Sequence, residues 1–409
     1  MNVVIAGHFH FPHGGAPAAR IRNLALGFEE SGANVHVIAM APPPERTARS
    51  RLPGNPSVTY ENVALFAAGR SADAGLLRTS IRRARWFAGM YGAAFPAQRR
   101  VSQLIRDGLC DLFIGYGRNA ALLAPLVRIC RRHHIPTVLD ITEIPEQFSG
   151  LGGMLSPVYW DWRLGTQWLP QQFDVLSVIT CGLQERYARL GCSRVLVIPS
   201  IEGWSDLPTV NLLAARDRFR LVYVGALLAR DAPDLLFAAL RLLHQQDVPV
   251  ELDVIGRYAT NAQGRAMMEL VQADPVLRTL VRFVGAVSDD ELVEHLRTAD
   301  GLILMRRDAP TEVNAFPTRL VEYLKQGRPV FVSDVGDIRR YLRHAVDAML
   351  LSPVDATQVA AAIRRVAALD DRGYALGVQG QARGAEMFDR RVHVQRLLDF
   401  MRAQQLVPA

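Results

Sequence analysis

The stretch Asn314-Ala-Phe-Pro-Thr-Arg-Leu-Val-Glu322, running on to Gly327-Arg-Pro-Val330, carries the densest chemistry of this 409-residue chain. Pro317 suits the first position of a helix, because its missing N–H would have no partner there. A helix starting at that proline presents unpaired backbone N–H groups and the positive end of its dipole, which together make a phosphate site. Thr318 adds a hydroxyl and Arg319 a fork of donors. Glu322 lies one turn on from Thr318, where a carboxylate can accept hydrogen bonds from both hydroxyls of a ribose ring. The same residues also fit an ordinary capped helix with a surface glutamate.

Other candidates sit where strands should end. Gly225 closes the run Leu221-Val-Tyr-Val224, Arg230 follows it in the loop, and Arg257 follows Val254-Ile-Gly256. In the first half, Gly14-Gly15 lets a backbone approach a phosphate or sugar closely. His8, His10 and His13 have no adjacent carboxylate or thiolate, so a metal site is not expected there, and one of them is expected to line the site instead. Asp140 and Glu143 follow the run Thr137-Val-Leu139. A carboxylate there can hold an acceptor hydroxyl or stabilise an oxocarbenium-like transition state. Alternatively, Asp140 caps the next helix.

The elements that must position these groups are legible as continuous apolar runs between helical stretches. Asn2–Ala6, Val35–Ala39, Leu112–Gly115, Thr137–Leu139, Val175–Ile179 and Val195–Ile198 form a first set. A second set begins at Leu221 and continues through Leu252–Ile255, Val281–Val284, Leu302–Met305, Val330–Val332 and Ala348–Leu351. Runs apolar on both faces mean strands of a parallel sheet crossed over by helices. A stretch rich in Pro, Ser and Gly at Pro199–Pro208 separates the sets. The expected organisation is therefore an N-terminal acceptor-binding domain over 1–203 and a C-terminal donor-binding domain over 204–388. Both are α/β, Rossmann-like and doubly wound, facing across a cleft. Residues 389–409 are expected to form an amphipathic helix that packs back on the first domain.

Composition narrows the class. Hydrophobic residues make up 49% and charged residues 21%, a globular balance rather than a disordered one. No apolar run reaches membrane-spanning length, and Met1–Ala6 enters a strand pattern without the basic start of a signal peptide. Cys110, Cys130, Cys181 and Cys192 form no C-x-x-C pair, which argues against disulfides and zinc and fits a reducing cytoplasm. Residues 1–205 carry 21 arginines against 14 acids, whereas 206–409 are neutral, so all of the net charge of +7 lies in the first half. That asymmetry points to an anionic partner. Segment 78–106 interleaves Arg82, Arg83, Arg85, Arg99, Arg100 and Arg106 with Trp86, Phe87, Met90, Tyr91 and Phe95. This pattern suits a membrane interface or a lipid diphosphate. No nucleic-acid-binding module is present.

The segment 314–330 resembles the donor-binding motif of the family-four glycosyltransferases (glycosyl transferases group 1), which have the GT-B fold. Their motif is a glutamate, seven residues, a second glutamate, and then Gly-x-Pro-Val. Glu322 stands as the second glutamate and Asn314 replaces the first. Tyr223-Val-Gly225 resembles the first strand and turn of the family's donor domain, and Val254-Ile-Gly256 the second turn. Arg282-Phe-Val-Gly285, with Ser288-Asp-Asp-Glu-Leu292 and Ala299-Asp300, resembles the third strand and following helix. Gly14-Gly15, Arg20–Phe28 and Ser31-Gly32 resemble the glycine loop and first helix. The family usually carries an Arg just after the Gly225 turn and a Lys about five residues later. Ala226 and Asp231 stand there instead, leaving Arg230 or Arg257 to substitute.

The resemblance implies a retaining, metal-independent transfer from a nucleoside-diphosphate sugar to a glycan or lipid-linked acceptor, with no cofactor, in surface polysaccharide or glycolipid synthesis. It makes Asp140, Glu143 and Asn314 the catalytic candidates. The donor-binding set is Gly14, Gly15, Gly225, Arg230, Arg257, Phe316, Pro317, Thr318, Arg319 and Glu322. The expected location is cytoplasmic, peripheral at the inner face of the cell membrane through segment 78–106. Two alternatives are a GT-B nucleotide-sugar epimerase and a binding or scaffold protein on a decayed transferase fold, the latter motivated by Asn314, Ala226 and Asp231.

Overall fold

Val3-Val-Ile-Ala6 and its counterparts along the chain are almost fully buried, and each is the middle of a strand. The computed structural model describes residues 1–41, 50–63, 91–143, 157–212, 216–307, 309, 314–352 and 354–408. It divides into two units, Met1–Gly203 with Arg390–Ala409, and Trp204–Asp389.

The first unit holds strands β1 (Asn2–Gly7), β2 (Asn34–Ala39), β3 (Ser50–Leu52), β4 (Asn55–Asn62), β5 (Leu112–Tyr116), β6 (Thr137–Ile141), β7 (Val175–Val178) and β8 (Val195–Val197). Their order is β3-β4-β2-β1-β5-β6-β7-β8. β3 and β4 pair antiparallel, and the other neighbours pair parallel. The β3–β4 hairpin is an addition to the strands expected from apolar runs.

The second unit holds β9 (Phe219–Val224), β10 (Val250–Ile255), β11 (Val281–Gly285), β12 (Gly301–Leu304), β13 (Val330–Ser333) and β14 (Met349–Leu351), in the order β11-β10-β9-β12-β13-β14, all parallel. The helix Asp289–Arg297 starts as its acids suggest. The Ser288 hydroxyl accepts from the Glu291 N–H and the Glu291 carboxylate accepts from the Ser288 N–H, a reciprocal cap. Across the edge of this sheet, Asp253 accepts from Arg220 (2.8 Å) and from its register partner Arg282 (2.7 Å).

A helix from the end of the chain joins the first unit. Arg390–Ala403 packs on Ala16–Glu30, placing Val394, Leu397, Leu398 and Met401 in one core cluster with Ile21, Leu24 and Phe28. Gly27 makes that approach possible, since a Cβ there would meet Val394 Cγ2 at 2.7 Å. Gly165 has a similar duty in the helix Pro157–Gln167, where a Cβ would run into the carbonyl oxygen of Arg118. Backbone cannot swing aside as a side chain can. Gly165→Ala is therefore expected to destabilise the first unit by about 1–3 kcal/mol. Unchanged amide-exchange protection of this helix in the variant would show that it is free to shift.

Candidate active site

Doubly wound sheets bind ligands outside the carboxyl ends of the strands, at the strand pair from which the chain departs to opposite sides. In the second unit that pair is β9 and β12, because β9 lies between β10 and β12. The residues following them are Gly225–Asp231 and Met305–Arg307. A third element joins them, because the N–H of Val224 donates to the Tyr323 hydroxyl (2.9 Å) on the helix Thr318–Lys325. Tyr323 is completely buried, and burial pushes its phenol well above the ordinary value, so it stays neutral and accepts.

The motif residues fall on and just before this helix. Pro317 is the N-cap, with extended backbone, and Thr318 is the first helical residue. The sequence suits Pro317 to the first helical position. The difference is one residue, and it leaves the helix start beside the end of β9. Arg319 and Glu322 pair with each other across one turn, each about one-third exposed. Asn314 is half-buried in the segment leading to the helix.

Phe316 is packed inward. Its ring, which the sequence reading puts near the sugar, is buried, edge-on to Tyr341 (5.5 Å) and tilted against Phe388 (5.7 Å). The apolar ring is drawn into the space between this segment and the helix Tyr374–Phe388.

Gly225 and Gly256 bring the ends of β9 and β10 together. Gly225 donates to the Ile255 carbonyl (2.9 Å) and Gly256 to the Gly285 carbonyl (2.8 Å). A side chain on Gly225 would strike the Tyr223 hydroxyl beneath it. That hydroxyl donates to Asp231 (3.1 Å), which also accepts from the Leu228 N–H (3.3 Å). Burial, with Asp231 adding to it, raises the Tyr223 pKa well above its ordinary value.

Asp231 pairs in turn with Arg306 at 3.3 Å. Arg306 had not been singled out from the sequence. The available signal was a cation directly after the apolar run Leu302–Met305, at a strand end. Arg230 is exposed, with its guanidinium 3.9 Å from Asp231, and Arg257 is exposed before the turn Tyr258–Thr260.

In the first unit the equivalent strand pair is β1 and β5. Gly14 packs on His10, and Gly15 caps the helix Ala16–Glu30 with φ 73°, a backbone that favours glycine, and with open space where a Cβ would stand. His8 follows β1, and its Nε2 is buried without a hydrogen-bond partner among the described residues. Burial and then His10 lower its pKa, so it is neutral at physiological pH.

Asp140 ends up deeper than its sequence reading suggested. It is 1% exposed, and both oxygens are taken: Arg20 donates to Oδ2 (3.0 Å) and Oδ1 (2.9 Å), and Ser177 donates to Oδ1 (2.6 Å). Arg20 also donates to the Ile198 and Pro199 carbonyls. Glu143, by contrast, is exposed and lies 3.8 Å from Arg118, which follows β5.

Among the described residues no cluster of three His, Cys, Asp or Glu could hold a metal ion, and no helix is long and apolar enough to cross a membrane. Residues 78–90 of the basic aromatic segment lie outside the described residues. In the remainder, Phe95 is exposed with the Arg99 guanidinium 4.3 Å from its ring centre, and Arg100 pairs with Glu61.

Two parallel doubly wound sheets in two units define the GT-B architecture of glycosyltransferases. The family model described as "Glycosyl transferases group 1" matches residues 218–368, and the "Glycosyl transferase 4-like domain" model matches residues 15–200. The chain belongs to this group 1, family-four-like set of GT-B glycosyltransferases. One curated relative is the D-inositol 3-phosphate glycosyltransferase of Geodermatophilus obscurus, 31% identical over 163 residues. That match spans 39% of this chain and 35% of the relative's own length. Among solved structures, sucrose-phosphate synthase from Thermosynechococcus elongatus superposes with a TM-score of 0.71 at 17% identity, covering 99% of both chains. Anabaena HepE in complex with UDP and glucose gives 0.65 at 15% identity, covering 98% of this chain and 100% of the other. At these identities the structures speak to the fold alone.

Proposed function

We propose that the chain is a retaining, metal-independent hexosyltransferase. It moves a sugar from a nucleoside-diphosphate sugar to a glycan or lipid-linked acceptor in the synthesis of a surface polysaccharide or glycolipid. The observation that carries the reading is the meeting of three elements at one point of the second unit: the ends of β9 and β12 and the helix that bears Thr318, Arg319 and Glu322. The helix start and Thr318 would receive the diphosphate, with its charge balanced by arginine rather than by a metal. Glu322 would hold the ribose, and Asn314 would lie near the sugar. Glu143 would meet the acceptor, and Asp140 would keep the strand end in place from within. The Anabaena neighbour bound to UDP and glucose supports a nucleotide-sugar donor of that kind. The protein would work in the cytoplasm, at the inner face of the membrane, with segment 78–106 as its contact.

A panel of nucleoside diphosphates and their sugars, scanned by thermal shift without divalent metal, tests this directly. A ligand present at a hundred times its dissociation constant adds about 2.7 kcal/mol, enough to raise the midpoint visibly. One base is expected to stabilise the protein well beyond the others. Silence across the whole panel would defeat the transferase reading and favour a scaffold on this fold.

A further inference from the structure

We infer that Arg306, at the end of β12, supplies the positive charge that holds the donor's diphosphate, and that Asp231 and Tyr223 aim it. The inference rests on the donor site proposed above and adds a residue to it. A diphosphate leaving without a metal needs cations close to its oxygens. The loop after β9 offers the opposite charge on its buried side: Asp231 lies at the crevice between β9 and β12, where a bare carboxylate would repel a diphosphate. The structure answers that charge with Arg306 at 3.3 Å.

The arginine is anchored at its backbone and through its partner. Its own N–H donates to the Ser333 hydroxyl at the end of β13 (2.9 Å), and its carboxylate partner is fixed by the Tyr223 hydroxyl and the Leu228 N–H. The next residue, Arg307, donates through its backbone to the Arg230 carbonyl (2.9 Å) and through Nε to the Ala229 carbonyl (2.9 Å), clasping the two strand ends together.

Among the arginines here, the side chains of Arg230 and Arg307 are 58% and 42% exposed, whereas that of Arg306 is 19% exposed. Arg307 is also paired with Asp234. A charge held in partial burial acts on an anion more strongly than one in open water. A guanidinium carries five N–H donors in a plane, so a carboxylate and a phosphate can be held by one side chain at once.

The experiment compares wild type, Arg306→Gln and Arg306→Lys for binding of UDP, ADP and GDP and of the matching nucleosides, by calorimetry. For the base that wild type prefers, Arg306→Gln is expected to weaken the diphosphate roughly 10- to 100-fold and to leave the nucleoside unchanged, with Arg306→Lys recovering part of the loss. Unchanged nucleoside affinity shows that the variant is folded and isolates the phosphate contribution. Equal diphosphate affinity in wild type and Arg306→Gln would overturn the role of Arg306 while leaving the donor site standing. Failure of wild type itself to bind any diphosphate would remove the donor site, and this inference with it.

Discussion

Asp140→Ala is expected to destabilise the first unit by about 3–5 kcal/mol, the usual result of removing one partner from a buried ion pair. Two groups lose their anchor in that variant. Arg20 retains a buried charge with only the carbonyls of Ile198 and Pro199 to receive it, and Ser177 loses its acceptor. The loss comes from the uncompensated charge, so removing the charge as well should relieve it. Arg20→Met combined with Asp140→Leu is expected to regain most of the stability, because apolar replacements of similar volume often equal or exceed a buried pair. A chain of two units does not give one two-state transition. The informative measurement is amide hydrogen exchange on β5, β6 and β7, which border the pair. Protection in Asp140→Ala within about 1 kcal/mol of wild type would show that water reaches the arginine and that the pair is not structural.

Glu322→Ala is expected to lower nucleoside-diphosphate affinity by roughly 10²- to 10⁴-fold, and kcat/KM with it. That range follows from two hydrogen bonds to a charged acceptor at about 1.5–3 kcal/mol each. The chemistry is specific enough to check by a second route. Wild type should discriminate against a 2′-deoxynucleotide, and the variant should not, because the carboxylate that senses the hydroxyl is gone. Arg319→Met alters the Glu322 pair without touching the carboxylate, so it should keep the discrimination against the 2′-deoxynucleotide whatever it does to diphosphate affinity. If Glu322→Ala binds as tightly as wild type and discriminates as well, the ribose is held elsewhere.

The strands were legible in the sequence wherever both faces are buried, because burial on both sides leaves a continuous apolar run such as Val3-Val-Ile-Ala6 or Leu221-Val-Tyr-Val224. β3 and β4 were not. At the sheet edge, Asn55–Asn62 has Val58 as its one fully buried residue, so its pattern is that of a loop. The motif around Glu322 was legible because its parts lie within one helix and its approach, and local spacing encodes local geometry. The pairs Arg20–Asp140 and Arg306–Asp231 join residues 120 and 75 positions apart, and no local pattern records such a meeting. The packing of Phe316 was not legible for the same reason, because the wall it packs against, Tyr341 and Phe388, comes from elements later in the chain.

The return of the helix Arg390–Ala403 to the first unit sets an order on synthesis. The second unit is one uninterrupted segment, whereas the first is not. Translation at about 5–20 residues per second leaves roughly 10–40 s between the emergence of Gly203 and that of Val394 and Leu397. Through that interval the groove at Gly27 and the apolar side of Ala16–Glu30 have no cover, because the helix that covers them follows the whole of Trp204–Asp389 in the chain. A nascent chain of this protein therefore exposes its longest-lived sticky surface on the half made first, which is where a ribosome-associated chaperone would find it.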